Sequence, residues 1–280
     1  MFVTNPSRPR LNVFHMKKED SRTYITDRVK HLLDIYQDVY RISEQQITHY
    51  RGLKFDQCMV FEHEDGMFKA IDWSDRDHPE KMECAEIIQH PQCQYVLKCQ
   101  YNPKWRVPKL RPFFYFEKTD PIGFSNALVD LRWIPKTEER LYWRGNLHLG
   151  RAEILSKLEE YLNPDYKETV PREQYYEEIA RHKFAITIPG LGKSCHREFE
   201  CFGIGTVVIS KEFQNTYYMP LMPGVHYICV KDYEPDTILD VLTGTSTNHM
   251  HWIRNKAMDY YDKYIRRTSS VLLLAHLLEL

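Results

Sequence analysis

Between residues 23 and 40 the apolar positions Ile25, Val29, Leu32, Leu33, Tyr36, Val39 and Tyr40 recur at helical spacing. This predicts an amphipathic helix whose apolar stripe packs against a sheet. Residues 1–20 read as an extended, polar lead-in. Short apolar runs then predict strands at 58–61, 67–73, 95–98 and 113–116, with a turn at Glu64-Asp65-Gly66. A helix is predicted over 79–89, with Asp77 placed to cap it. Residues 102–112 carry three prolines together with Lys104, Arg106, Lys109 and Arg111, which predicts a rigid, positive loop. Its charge suits a phosphate-bearing ligand, and its plainer reading is a polar connector.

Trp133-Ile134-Pro135-Lys136 reads as a boundary between two halves. Beyond it a strand at 141–143 ends in Arg144-Gly145-Asn146 and is followed by a helix over 150–161. A strand is predicted at 225–230, a short helix at 235–242 and a longer one at 248–264. Residues 270–279 are apolar on several faces. The fold class expected is α/β, with an N-terminal domain over 1–134, a second domain over 135–255 and a terminal helical segment over 256–280.

The densest chemistry lies in 183–227. Lys183-Phe184-Ala185-Ile186-Thr187-Ile188 reads as a buried strand, Pro189-Gly190-Leu191-Gly192 as a tight turn, and 194–202 as a short helix. Ser194 can cap that helix, and Gly203 and Gly205 can end it. Thr206-Val207-Val208-Ile209 is a second strand. The helix N-terminus offers unpaired N–H groups and a positive dipole end, which suits a phosphate. Arg197 in the first turn can grip a pyrophosphate through two donors, and Glu200 on the same face is spaced for a ribose hydroxyl. Neither a Walker spacing nor GxGxxG is present, and most glycine-rich turns of this kind bind nothing. A second cluster, Asp72, Asp75 and Asp77, sits at a predicted strand C-terminus, the edge where α/β folds bind ligands. Its plainer reading is a solvated loop whose acids cap the next helix.

Composition narrows the classes. The 280 residues hold 38 Lys plus Arg against 39 Asp plus Glu, which argues against a general polyanion binder such as a nucleic-acid protein. A hydrophobic content of 42% supports a real core. The seven cysteines are scattered without a CxxC pair or zinc spacing, which predicts reduced thiols and no metal. Without a signal peptide or an apolar run of spanning length, a cytoplasmic protein without membrane insertion is expected.

In order along the chain, Pro103-Lys104-Trp105 leading to Pro112-Phe113-Phe114-Tyr115-Phe116-Glu117-Lys118-Thr119, then Tyr142-Trp143-Arg144-Gly145-Asn146 with Arg151, then Ser194-Cys195-His196-Arg197 through Cys201-Phe202-Gly203 and Tyr218-Met219-Pro220-Leu221 to Gly224-Val225-His226-Tyr227, resemble the capsule-associated and protein O-glucosyltransferase family of UDP-sugar glycosyltransferases. The match covers about half the chain, and the short length is similar to that of the small xylosyltransferases encoded by large algal viruses. The resemblance implies two facing Rossmann-like domains (GT-B type), an acceptor-side one over 1–134 and a nucleotide-sugar-binding one over 135–255, with the segment 256–280 packing back on the first. It also implies inversion at the anomeric carbon, a UDP-sugar donor (xylose, with glucose as the alternative) and a hydroxyl of a glycan on a glycoprotein as acceptor. Arg144, Gly145, Asn146, Gly190, Ser194, Arg197 and Glu200 would then hold the donor without a metal cofactor. Relatives carry the general base just before the strand leading to Pro103-Lys104-Trp105, where Gln100 or a neighbour stands here. Asp75, then Asp72, then Asp77 are the expected substitutes. Two other readings are a cysteine hydrolase built on Cys195, whose neighbour His196 points elsewhere on a helix, and a non-catalytic nucleotide- or glycan-binding module.

Overall fold

A computed structural model of the chain describes residues 8–15, 23–47, 49–54, 58–74, 85–113, 124–148, 150–190, 195–214 and 216–280. Its strands are β1 (Arg10–His15), β2 (Arg41–Gln46), β3 (His49–Tyr50), β4 (Leu53–Lys54), β5 (Cys58–His63), β6 (Phe68–Asp72), β7 (Cys93–Lys98), β8 (Leu110–Pro112), β9 (Phe184–Ile186), β10 (Val207–Ser210) and β11 (Ile228–Cys229). Its α-helices are α1 (Thr23–Tyr36), α2 (Phe124–Asp130), α3 (Arg151–Lys157), α4 (Arg172–Arg181), α5 (His196–Ile204), α6 (Pro235–Gly244), α7 (Thr247–Tyr260) and α8 (Arg267–Leu278). The protein is a mixed α/β fold, and the chain divides into two compact units. One comprises Met1–Tyr115, Asn215–Tyr218 and Val271–Leu280, the other Phe116–Gln214 and Met219–Ser270.

The first unit carries a six-stranded sheet in the order β2-β1-β5-β6-β7-β8. The pairs β1/β2, β6/β7 and β7/β8 are parallel, and β1/β5 and β5/β6 antiparallel. Within the polar lead-in, Arg10–His15 is therefore a strand. Leu11, Val13 and His15 of β1 are buried and alternate with more exposed neighbours, a period-2 signal too short to stand out among polar residues. Every residue of β6 is buried, as expected for a strand covered on both faces. Of the strand expected at 113–116 only Phe113 is described, and it lies just past the end of β8; 114–116 lie outside the described residues, and β8 itself was not expected. β8 is an edge strand, which is why Pro112 is tolerated in it. Along α8, Val271, Leu274, Ala275 and Leu278 form one buried stripe, while Leu272 faces solvent. Lys69 Nζ and Tyr95 Oη cap the end of that helix, donating to the carbonyls of Leu278 (2.5 Å) and Leu277 (2.7 Å).

The second unit holds a parallel sheet in the order β11-β10-β9. Tyr142 extends it beside β9, exchanging hydrogen bonds with Phe184 (2.9 Å) and Ile186 (3.0 Å). Trp143, Leu155, Leu158, Leu162, Ile186, Ile209 and Ile253 share one core. The strand–helix–strand reading of 183–209 corresponds to β9, α5 and β10. Gly205, at φ +79°, ends α5 in the left-handed region, and its N–H bonds to Cys201 O at 2.8 Å. The stretch 133–136 lies inside this unit, because the preceding turn is tied to α5. There Arg132 Nε donates to Gly203 O (2.7 Å), and the guanidinium pairs with Asp262 (2.9 Å). Among the described residues no helix is long and apolar enough to cross a membrane.

Candidate functional site

α5 is buried along nearly its whole length, so each of its polar side chains needs an internal partner. Glu198 turns back to accept from the N–H of Cys195 at 3.0 Å, closing the helix start. Glu200 accepts from the phenols of Tyr175 and Tyr176 on α4, each at 3.0 Å. Arg197 donates through Nη2 to the carbonyl of Arg144 and lies over the Trp143 ring, 5.2 Å from its centroid. Its Nε and Nη1 have no hydrogen-bond partner among the described residues, although the residue is only 7% exposed. Tyr175 lies beside it, with its phenol turned to Glu200.

These residues wall a cleft of about 490 Å³ within the second unit, a size suited to a small ligand. One side is the turn after Tyr142 (Arg144, Gly145, Asn146), another the N-terminus of α5 (Cys195, His196, Arg197, Glu200). The third is Glu168, Thr169 and Val170 with the start of α4. Four arginines, Arg144, Arg151, Arg172 and Arg197, line it against two glutamates, Glu168 and Glu200. With Arg144 paired to Glu178, three arginines face two glutamates, a margin of one positive charge toward an anion.

Five of the seven expected donor residues thus meet in one cleft, but two play other parts than expected. Arg144 is committed. Its Nε (2.5 Å) and Nη2 (3.1 Å) grip Glu178, and Nη1 donates to the carbonyls of Asp165 and Glu168 (3.0 Å for the latter). It braces the cleft wall and orients Arg197 through its own carbonyl. Glu200, with a phenol on each oxygen, is an internal anchor more than an open acceptor. Gly190 stands just outside, beside Arg151, whose guanidinium donates to the carbonyls of Ile188 (2.9 Å) and Pro189 (3.2 Å). Ser194 lies outside the described residues.

The acidic cluster reads differently from expectation. Asp72 is wholly buried, accepting from Lys98 Nζ at 3.0 Å and from the Ser74 N–H at 2.8 Å. Lys98, equally buried, also donates to Ser74 O (2.6 Å) and Oγ (2.9 Å). This closed network gives Asp72 no access to a substrate, which corrects its assignment as a base. Asp75 and Asp77 lie outside the described residues. Gln100 is fully buried.

The cysteine reading also weakens. Burial, then the neighbouring Glu198 carboxylate, pushes the Cys195 thiol well above its usual range, so the nucleophilic thiolate is suppressed. Among the described residues no three His, Cys, Asp or Glu side chains gather as metal ligands.

Sequence reasoning missed α4 altogether, and with it Tyr175, Tyr176 and the 168–170 wall. The signal was present in Pro171 followed by Tyr176, Ile179 and Ala180 at helical spacing, all three buried on one face. Compared with protein-family models and with curated proteins, the chain matches none.

Proposed function

We propose that this chain is an inverting glycosyltransferase that takes a sugar from a UDP-sugar, with xylose as the sugar, on the two-domain Rossmann-like (GT-B) plan its motifs imply. The observation that carries the reading is Arg197, a buried cation with two unpartnered nitrogens on a cleft at a helix N-terminus. A permanently charged, forked donor in such a place calls for a phosphate oxygen. In the reaction an acceptor hydroxyl oxygen attacks the anomeric carbon as the bond to the β-phosphate oxygen breaks. The electron pair leaves on the diphosphate, whose growing charge Arg197 and the α5 N-terminus stabilise in place of a metal. The hydroxyl proton passes to a carboxylate, for which Asp75 and then Asp77 are the candidates once Asp72 is set aside. The acceptor is a hydroxyl of a glycan on a glycoprotein.

Calorimetry with UDP, UDP-xylose and UDP-glucose in EDTA tests this. Binding of UDP that Arg197→Ala abolishes, with UDP-xylose the tightest sugar nucleotide, is expected. Tighter UDP-glucose would reassign the sugar, and no nucleotide binding would remove the reading. A non-catalytic binding module is the second reading, favoured by the sealed state of Asp72. UDP binding with no transfer from either sugar nucleotide to any glycan would select it.

A further inference from the structure

Three cations, Arg132, Lys136 and Arg254, gather at the end of α5, and none of them lines the cleft. Arg132 is satisfied there by Gly203 O and Asp262. Arg254 of α7 is not. Its Nη2 donates to Arg132 O (2.9 Å), but its Nε is buried without a partner among the described residues. That Nε faces Gly205, where a methyl group built on the Cα would lie 2.9 Å from it. On the next residue, Thr206, the hydroxyl takes a hydrogen bond from Lys136 Nζ (2.9 Å) and spends its own proton on Ile179 O (2.7 Å). Among the described residues no carboxylate pairs with either Lys136 or Arg254. Burial, then the Arg254 charge, brings the Lys136 ammonium down to about 7. The Cys201 thiol of α5 would hold it up, but burial keeps that thiol protonated. His182, beyond α4, also faces Lys136 and is lowered by its own burial, with Lys136 adding to the effect. An ordinary lysine keeps only about a thousandth of its amine neutral near physiological pH. A lysine desolvated beside a second cation keeps far more, and the neutral amine is the nucleophile.

We infer that Lys136 is a modification site for carbon dioxide, whose carbamate pairs with Arg254. The amine lone pair forms the new N–C bond, one C=O electron pair moves onto oxygen, and a proton leaves the nitrogen for solvent. No oxidant, reductant or further reactant is needed. The product replaces an unpaired cation by an anion and gives the stranded Arg254 Nε a charged acceptor. Lys136 is only partly buried, so a molecule as small as carbon dioxide reaches it. The inference is independent of the nucleotide reading of the cleft.

The test incubates wild type, Lys136→Arg and Arg254→Gln with isotopically labelled bicarbonate near neutral pH. NMR detects the carbamate, alkylation with a trialkyloxonium salt fixes it, and peptide mapping by mass spectrometry places it. Expected is a carbamate on Lys136 at least about tenfold more abundant than on any other lysine. Lys136→Arg, which keeps the charge but not the nucleophile, should lose it, and Arg254→Gln should reduce it by about fivefold or more. No carbamate on Lys136, an even spread over the lysines, or an amount that ignores Arg254→Gln overturns the inference. The mapping of wild type decides by itself, so a variant that fails to fold does not shield the inference.

Discussion

Arg197 crosses directly over Gly145: a methyl group built on the Gly145 Cα would lie 2.7 Å from Arg197 Nη2. Gly145 also sits at φ +151°, which side-chain-bearing residues rarely adopt. The glycine lets the turn after Tyr142 come close enough for its carbonyl to receive the guanidinium. Gly145→Ala should therefore cost about 1–3 kcal/mol of stability and displace Arg197. UDP affinity should fall by about tenfold or more. Thermal melts beside calorimetry on the same preparation check both, and unchanged affinity would show that Arg197 does not hold the ligand.

Arg144 and Glu178 form a forked ion pair that pins the 165–168 turn. Burial alone would raise the Glu178 carboxyl. Arg144, Gln174 and Tyr142 outweigh burial and hold it below the usual carboxylate range. A depressed folded pKa contributes stability that is present above the unfolded value and lost as pH falls through the folded one. The wild type should thus lose stability as pH drops below about 4.5, and Glu178→Gln should lose less over the same range. Arg144→Ala should cost about 2 kcal/mol at neutral pH, part of it by leaving Glu178 unpaired. Denaturant titrations at pH 3.5, 4.5 and 7 separate these outcomes.

Asp72 and Lys98 are both fully shielded from solvent, so removing one strands the other's charge. Asp72→Ala should destabilise the first unit by about 3–5 kcal/mol, whereas Asp72→Leu with Lys98→Met should recover most of it. If Asp72→Asn were as stable as wild type yet inactive in sugar transfer, a catalytic role for Asp72 would be restored.

Cys195 stands at the cleft, but its thiol is held protonated by burial and by Glu198. Cys195→Ser should keep UDP affinity within about threefold, a difference below 1 kcal/mol. Alkylation of this thiol by iodoacetamide, followed by mass spectrometry, should stay slow from pH 7 to 9. Rapid alkylation at pH 7 would revive the nucleophile reading.

Local pattern was enough for several elements, because their causes are local. The spacing of Val29, Leu32 and Leu33 marks α1, and β-branched and aromatic runs mark β5, β6 and β9. Gly205 stops α5 where a left-handed residue is needed. The order Arg144-Gly145-Asn146 and then Arg197 was also readable, and those residues do meet. What the sequence did not hold was which partner each charge would find. Arg144 and Arg197 are the same residue type in similar motifs. One is consumed by Glu178 on α4, the other keeps open nitrogens, and only the packing of α4 beside α5 decides between them. Asp72 was likewise indistinguishable from an open acid until β7 set Lys98 beside it. Charge, spacing and propensity act over a few residues, whereas burial and pairing depend on contacts between segments distant in sequence. Roles at the site therefore emerged only from the tertiary structure.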